Sequence, residues 1–439
     1  MEVFLNKYIL GVLVPILLIG LGIFFLFYLK FFFIAHPKKT FLSILGKGAG
    51  KGISQFNALT VALAGTLGVG NIVGVASAII LGGPGALFWM WVSAFSAMIL
   101  KYAEIVLAHK HRRSGKLGEY GGAMYYIQDF YRGKVGKAIA SFFAMFCILN
   151  SLSMGCMLQA DAVSGSFKEI FDIPPIYIGI LLAFISGIVI FRNIHDISPL
   201  TSVIIPLMTG LYIVMSFVVI WNFRAGFRDV FSLILKDAFS FSSATGGLFG
   251  FLLCAQLRYG TMRGLLSNEA GCGTAPMAHA SSRAKLAAEQ GIWGIIEVFV
   301  DTILLCSLTG ISILLVFANG IGDFCPGDEM KLVISSYSAA LGGIAGVLMT
   351  LMVFMFAYAT IICWAYYGTR TLEYLTGRKS FIFIYKVIYT FSIIFGALSV
   401  KSIVWQISDI ALGCMTVINV VTLWFMRKEI KRETSFLVD

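Results

Sequence analysis

The chain has 439 residues, 59% of them hydrophobic, a mean hydropathy of +0.89 and only 13% charged residues. A soluble domain carries about 25% charged residues to cover its surface, so half that fraction excludes a water-soluble globule. The net charge of +11 does not signal nucleic-acid binding, because the basic residues sit between apolar segments, where the positive-inside rule accounts for them.

Apolar stretches long enough to cross a bilayer as helix, about 20 residues each, recur from end to end. Strand-like alternation is absent, which argues against an outer-membrane barrel. Eleven spans are predicted, at 8–34, 55–81, 85–109, 138–165, 174–192, 199–221, 245–278, 289–317, 338–367, 382–400 and 403–426. The first follows a single lysine, is too long for a signal-peptide core and lacks a small-residue cleavage site, so it reads as a span. All the cysteines except Cys325 lie in apolar segments and no two form a CxxC, so neither a zinc site nor a disulfide framework is expected.

Eleven spans put the termini on opposite sides. With the N-terminus outside, the inner connections hold Lys30, Lys38, Lys39, Lys47 and Lys51, the run Lys110, Arg112, Arg113 and Lys116, and the tail Arg427, Lys428, Lys431 and Arg432. That loop bias predicts N-out, C-in.

Spans two and seven do not read as simple lipid-facing helices. The second holds Gly65-Thr66-Leu67-Gly68-Val69-Gly70-Asn71-Ile72-Val73-Gly74. The seventh holds Tyr259-Gly260-Thr261-Met262-Arg263-Gly264, then Ser267-Asn268-Glu269-Ala270-Gly271-Cys272-Gly273-Thr274-Ala275-Pro276. Glycines and polar residues at this depth leave backbone groups unpaired unless they line a cavity or are buried in protein. Close helix packing would explain Gly70 and Gly74 but not Asn71, Asn268 or Glu269. With the first span set aside, five and five remain, each half opens on an interrupted helix, and the halves are inverted. Interrupted helices at corresponding places point to a transporter site at the repeat interface. Half-helix N-termini suit a carboxylate, and unwound carbonyls suit an ammonium or Na⁺, a combination that an α-amino acid needs. Gly68-x-Gly70 lacks the strand–turn–helix context of a nucleotide loop.

At these residues the chain resembles the alanine or glycine:cation symporter family. The similar stretches are Gly65 to Gly74, Gly82-Gly83-Pro84-Gly85-Ala86-Leu87-Phe88-Trp89-Met90-Trp91, Gly121-Gly122-Ala123-Met124-Tyr125-Tyr126, Ser267 to Pro276 with Ala278-His279-Ala280, and Trp364-Ala365-Tyr366-Tyr367-Gly368. The resemblance implies an all-α integral membrane protein with a five-plus-five inverted-repeat core of the leucine-transporter type, preceded by one extra helix. The divisions expected are 1–50 for that helix and a basic loop, 51–222 and 240–426 for the two repeats, and 427–439 for a cytoplasmic tail. It implies a Na⁺- or H⁺-coupled importer of a small neutral amino acid in the cell membrane, with no enzymatic activity and no cofactor beyond the coupling ion; a monomer is one option.

Residue by residue, the resemblance assigns Gly68 and Gly70 to the substrate carboxylate, Asn71 and Gln159 to its polar end, and Leu266 and Trp364 to the pocket wall. Thr360, one turn before Trp364, would serve substrate or cation. The cation set is Gly65, Thr66, Val69, Asn268, Asp301 and Thr360. Five departures stand out: Val69 replaces a usual Thr, Leu266 a usual Phe, Ala359 a usual Ser, and Leu412 and Ile418 a usual Asn and Pro. Fewer oxygens at the cation site and a roomier pocket follow, which admits serine or glutamine as substrate.

Among the other acids within spans, Asp301 is the candidate cation ligand or proton carrier. Glu104 is expected to pair with Lys101 one turn away, Glu269 to pair with Arg263 or cap a half-helix, and Asp161 to be structural. His279 has no second ligand at i+3 or i+4 and reads as packing or gating. A membrane-embedded enzyme would need a Ser/His/Asp set, an HExxH or paired aspartates, none of which occurs. The remaining alternative is an amino-acid sensor that binds without transport.

Overall fold

The computed structural model describes residues 13–44, 52–115, 118–192, 194–240, 254–321, 329–398 and 402–438. Cys325 and the predicted span residues 8–12, 245–253, 399 and 400 lie outside them.

In chain order, helix α1 covers Val14–Tyr28. The second span is divided into α2, Gln55–Thr66, and α3, Val73–Gly82. Ser54 starts α2 by accepting the Asn57 N–H on its hydroxyl at 3.0 Å, satisfying a donor that the first helical turn leaves free. Helix α4 covers Ala86–Lys110. A two-stranded hairpin follows, β1 at Arg113–Gly115 against β2 at Gly118–Tyr120, then α5, Ala123–Tyr131. The next helices are α6, Gly133–Phe171, α7, Pro175–Ile190, α8, Ile194–Asn222, and the amphipathic α9, Phe227–Ala238. The second half comprises α10, Ala255–Asn268, the one-turn α11, Pro276–His279, and α12, Ala287–Ala318. It continues with α13, Glu329–Leu341, α14, Ile344–Thr376, α15, Lys379–Leu398, and α16, Ser402–Phe425, before the tail helix α17, Arg427–Val438.

Seven helices among the described residues are long and apolar enough to cross a membrane, and α1, α3 and α7 are shorter apolar ones. Helix α4 is buried on nearly every face and lies in the middle of the bundle. Helices α7, α8 and α15 expose Phe184, Val203 and Phe395, each more than 60% accessible. Large aromatic and branched side chains left open on these three helices match contact with hydrocarbon.

Among the described residues the predicted spans follow these helices, with several shifted ends and three informative local differences. Residues 259–264 are uninterrupted helix within α10. Their glycines make a packing seam, since a Cβ on Gly260 would run into the Ala86 carbonyl and one on Gly264 would lie 2.8 Å from the Ser93 hydroxyl of α4. The ninth span begins at Ile344, because left-handed Gly342 separates it from α13. The first helix ends at Tyr28, where Lys30 and Phe31 both adopt positive φ.

Candidate functional site

The first break runs from Leu67 to Ile72. Leu67 leaves the helix, Gly68 is extended, and Val69–Asn71 forms one turn of 3-10 helix before α3 resumes. Its backbone is held by its own Asn71 side chain and by side chains from two other helices. The Val69 N–H donates to the Gln159 side-chain oxygen (3.1 Å), the Gly68 N–H to the Asn71 side-chain oxygen (3.1 Å), and the Thr360 hydroxyl to the Leu67 carbonyl (3.3 Å). A side chain at Gly68 would be crowded, because a Cβ there would meet the Thr360 hydroxyl at 2.8 Å and the Gln159 oxygen at 3.0 Å.

Asn71 turns its amide the other way. Its nitrogen donates to the Asp301 carboxylate (2.8 Å), the Asp301 carbonyl (3.1 Å) and the Ser267 hydroxyl (2.8 Å). The other Asp301 oxygen accepts from Ser267 and Thr302, both at 2.7 Å, and Asn268 donates to the Thr302 hydroxyl at 3.0 Å. All of these residues are buried. Ser267 and Asn268 are the last residues of α10, so the two interrupted helices meet at this cluster.

Two wide helical turns deliver the key polar groups. Residues Ser153–Met157 of α6 and Phe299–Cys306 of α12 are π-helical. Such turns are rare and concentrate at functional sites. The first brings Gln159 to the break; the second carries Asp301. Gly155 lets the first form against Trp364, whose ring a Cβ would run into, and the Gly155 carbonyl accepts the Tyr389 hydroxyl at 3.0 Å.

A cavity of about 20 Å³ lies beside the first break, lined by Gly65, Thr66, Gly68, Val69, Gly70 and Gln159, with Met154, Leu158, Leu266 and Trp405 closing it. That is roughly the space of one water molecule. The structure therefore places Gly68, Gly70, Gln159 and Leu266 of the expected substrate set around one space, together with Gly65, Thr66 and Val69 of the expected cation set. Asn71, Asn268 and Asp301 lie behind it in the polar cluster. Thr360 borders Gly68 and Leu67 from α14. Trp364 is fully buried outside the cavity lining and donates its indole N–H to Glu269 at 3.0 Å.

The second break follows Asn268. Glu269, Gly271 and Gly273 all have positive φ, and Pro276 opens α11. Glu269 does not pair with Arg263; it accepts from Trp364 and from the Thr274 hydroxyl (2.6 Å), while the Arg263 guanidinium lies over the Trp405 ring at 5.2 Å. Nor do Lys101 and Glu104 pair with each other. Lys101 donates to the Asn268 carbonyl at 2.7 Å and pairs with Glu297 at 3.2 Å. Glu104 accepts from the Gly273 N–H at 3.2 Å and the Asn419 amide at 2.6 Å, and Asn419 also donates to the Gly271 carbonyl at 2.9 Å. Glu297 continues to His279 at 3.1 Å, and His279 to Gln290 at 2.6 Å. Every polar side chain of this network is buried, and between them they hold both ends of the break.

Sequence reasoning missed Thr302, Thr309, Trp405 and the site role of Ser267. Thr309 donates to the Asn71 carbonyl at 2.8 Å. Ser267 and Thr302 adjoin predicted residues and could have been found by helical neighbourhood; Trp405 carries no local signal that separates it from an interfacial tryptophan.

Comparison with known proteins bears on the family and the fold. Residues 2–437 match the model of the sodium:alanine symporter family. The uncharacterised transporter YflA of Bacillus subtilis is 37% identical over 95% of this chain and 88% of its own. The sodium/alanine symporter AgcS of Methanococcus maripaludis is 34% identical over 98% of this chain and 95% of its own. Among solved structures, MhsT in complex with L-phenylalanine superposes with a TM-score of 0.57 at 14% identity, covering 89% of this chain and all of that one. That likeness fixes the fold as leucine-transporter type, an all-α multi-pass membrane protein. With the family model spanning nearly the whole sequence, the chain belongs to the sodium:alanine symporter family, a family of transporters and not of enzymes.

Proposed function

We propose that this protein imports a small neutral amino acid of the alanine/glycine class by symport with Na⁺, through alternating access of the two interrupted helices against the remaining bundle. The observation that carries the reading is the contact of the two breaks, Asn71 to Ser267 at 2.8 Å, beside a cavity lined by unwound backbone. Its membership of the sodium:alanine symporter family supports Na⁺ and an amino acid as cargo, and gives no support to a non-transporting sensor. The basic loops orient the chain with its N-terminus outside and its C-terminus in the cytoplasm.

In this proposal the substrate carboxylate takes the backbone at Gly68 and Gly70, competing with Gln159 for the Val69 N–H, and the released Gln159 amide turns to the substrate. Leu266 and Trp405 face its side chain. Oxygens at Gly65, Thr66 and Leu67, with the Thr360 hydroxyl, hold the cation. Asp301 and Asn268 serve by fixing Asn71, and Trp364 serves by fixing Glu269 and the wide turn at Gly155. A cavity of about 20 Å³ cannot hold alanine, so loading requires the helices to part. Cation binding at the break raises substrate affinity by linkage, and substrate raises cation affinity equally.

Uptake of labelled alanine into proteoliposomes, with and without an inward Na⁺ gradient, tests this. Na⁺-dependent accumulation competed by glycine is expected. Accumulation driven equally by a pH gradient would move the coupling to H⁺, and uptake of only larger neutral amino acids would overturn the alanine/glycine assignment.

A further inference from the structure

Outside the transport site, helices α1 and α16 enclose an apolar groove of about 410 Å³ lined by Leu17, Gly20, Leu21, Phe24, Val420 and Trp424, among others. The same two chain segments carry on into a second cavity of about 200 Å³ beneath it, bordered by Tyr28, Lys30, His36, Lys431, Thr434 and Ser435. The two spaces are stacked along one axis, because Phe24 lines the upper and Tyr28, one turn on and stacked against it at 5.3 Å, lines the lower.

Their chemistries differ sharply. The upper space is walled by apolar side chains at membrane depth. The lower has two lysines and a histidine on its rim and no carboxylate. Neither lysine has a carboxylate within ion-pair distance among the described residues; Lys431 lies over the Tyr28 ring at 4.8 Å. The acids on the same tail helix are turned elsewhere, Glu429 to His111 and Glu433 to Lys110. The positive φ of Lys30 and Phe31 ends α1 and turns the chain at the rim of the lower space.

We propose that this composite groove binds one anionic phospholipid, an acyl chain lying between α1 and α16 and its phosphate meeting Lys30 and Lys431. An apolar slot opening onto cations that have no carboxylate partner among the described residues, on the side that the basic loops mark as cytoplasmic, matches the two halves of such a molecule. A zwitterionic lipid fills the same slot but brings its own cation to the lysines, so the site discriminates by headgroup charge. The lipid would bridge the extra N-terminal helix to the last span and the tail helix.

The test is native mass spectrometry of the full chain in detergent, titrated with phosphatidylglycerol or phosphatidylcholine of the same acyl chains. Wild type should prefer phosphatidylglycerol about tenfold or more. The double variant Lys30→Ala/Lys431→Ala should lose the preference while still binding phosphatidylcholine. Gly20→Leu should weaken both lipids, since Gly20 lines the groove and a Cβ there meets nothing within 4 Å, which leaves room for the larger side chain to occupy it. Equal affinity of wild type for the two lipids, or an unchanged preference in the double variant, would overturn the proposal. Unaltered melting of Gly20→Leu in lipid-free detergent separates loss of binding from loss of fold.

Discussion

Asn71 and Asp301, 230 residues apart, are joined twice: the Asn71 amide donates to the Asp301 carboxylate at 2.8 Å and to its backbone carbonyl at 3.1 Å. The same Asn71 side chain accepts the Gly68 N–H. One amide thus spans from the unwound backbone of the first break to the wide turn of α12. Both ends are buried, so the amide has no water to fall back on.

Asn71→Ala should therefore abolish uptake, with at least a hundredfold loss, while the protein still reaches the membrane. It strands an Asp301 oxygen, at a cost of about 1–3 kcal/mol, and leaves the Gly68 N–H only the Thr66 carbonyl at 2.9 Å. Asn71→Asp should be no better for uptake and worse for stability at neutral pH, because it sets a second carboxylate against Asp301. Uptake assays and melting temperatures of the two variants check this; retained affinity in Asn71→Ala would remove Asn71 from the site.

Gly68→Ala should cost uptake through crowding alone. The new methyl group meets the Thr360 hydroxyl and the Gln159 oxygen, and overpacking of this kind costs about 1–3 kcal/mol. Pairing it with Thr360→Ala removes the closer contact, so stability measured by thermal melting should partly recover in the double variant.

Lys101→Met should be among the most damaging substitutions in the chain. It leaves Glu297 buried without its ammonium partner and frees the Asn268 carbonyl. Breaking one side of a buried pair costs about 3–5 kcal/mol, and the second break is the segment released. Thermal melting of detergent-solubilised protein reads the loss, and Lys101→Met/Glu297→Leu should be less damaged than the single variant.

Val69→Thr and Leu266→Phe test the two departures that adjoin the cavity. Both positions line it. The threonine should return an oxygen to the break and lower the Na⁺ concentration for half-maximal uptake severalfold. The phenylalanine should narrow the cavity and shift competition towards glycine and alanine over serine and glutamine. Na⁺ titrations and competition assays read the two effects separately.

Docking of the tail helix should depend on pH. His111, just beyond α4, lies between Asp129 at 2.8 Å and Glu429 at 3.3 Å. Burial lowers the affinity of His111 for its proton, but the two carboxylates outweigh it and leave the pKa above the ordinary histidine value. The hydrogen bond from His111 holds Glu429 below the ordinary carboxylate value. A raised histidine stabilises the contact below its unfolded pKa, near 6.5, and loses that contribution as pH climbs through the higher folded value. A depressed carboxylate stabilises above its unfolded pKa and loses it as pH falls through the folded one. The contact is therefore strongest from the upper carboxylate range to the histidine range. Hydrogen exchange of residues 427–438 should be slowest in that window and quicken on the alkaline side, and His111→Gln should flatten the alkaline limb.

The sequence by itself determined the membrane class, the spans and the place of the first break. Each rests on a local property: about 20 apolar residues in a row, basic loops, and glycines flanking Asn71 where a helix should continue. The second break was legible in Glu269 to Pro276. Its false extension to Tyr259–Gly264 shows that glycine at helical spacing marks either an unwinding or a close approach, and only the facing helix, here α4 at Ala86 and Ser93, decides which.

What only the tertiary structure decided is who meets whom. That Lys101 faces Glu297 and not Glu104, that Trp364 reaches Glu269 while Trp405 closes the cavity, and that Asp301 meets Asn71 all depend on contacts between helices far apart in the chain. The wide turns before Gln159 and around Asp301 shift the register of their helices, so side chains placed by a regular 3.6-residue period would point elsewhere. Apolar character and loop charge are written residue by residue. The pairing of buried polar groups is settled only when the bundle packs, because each must find its partner inside a medium that offers no water.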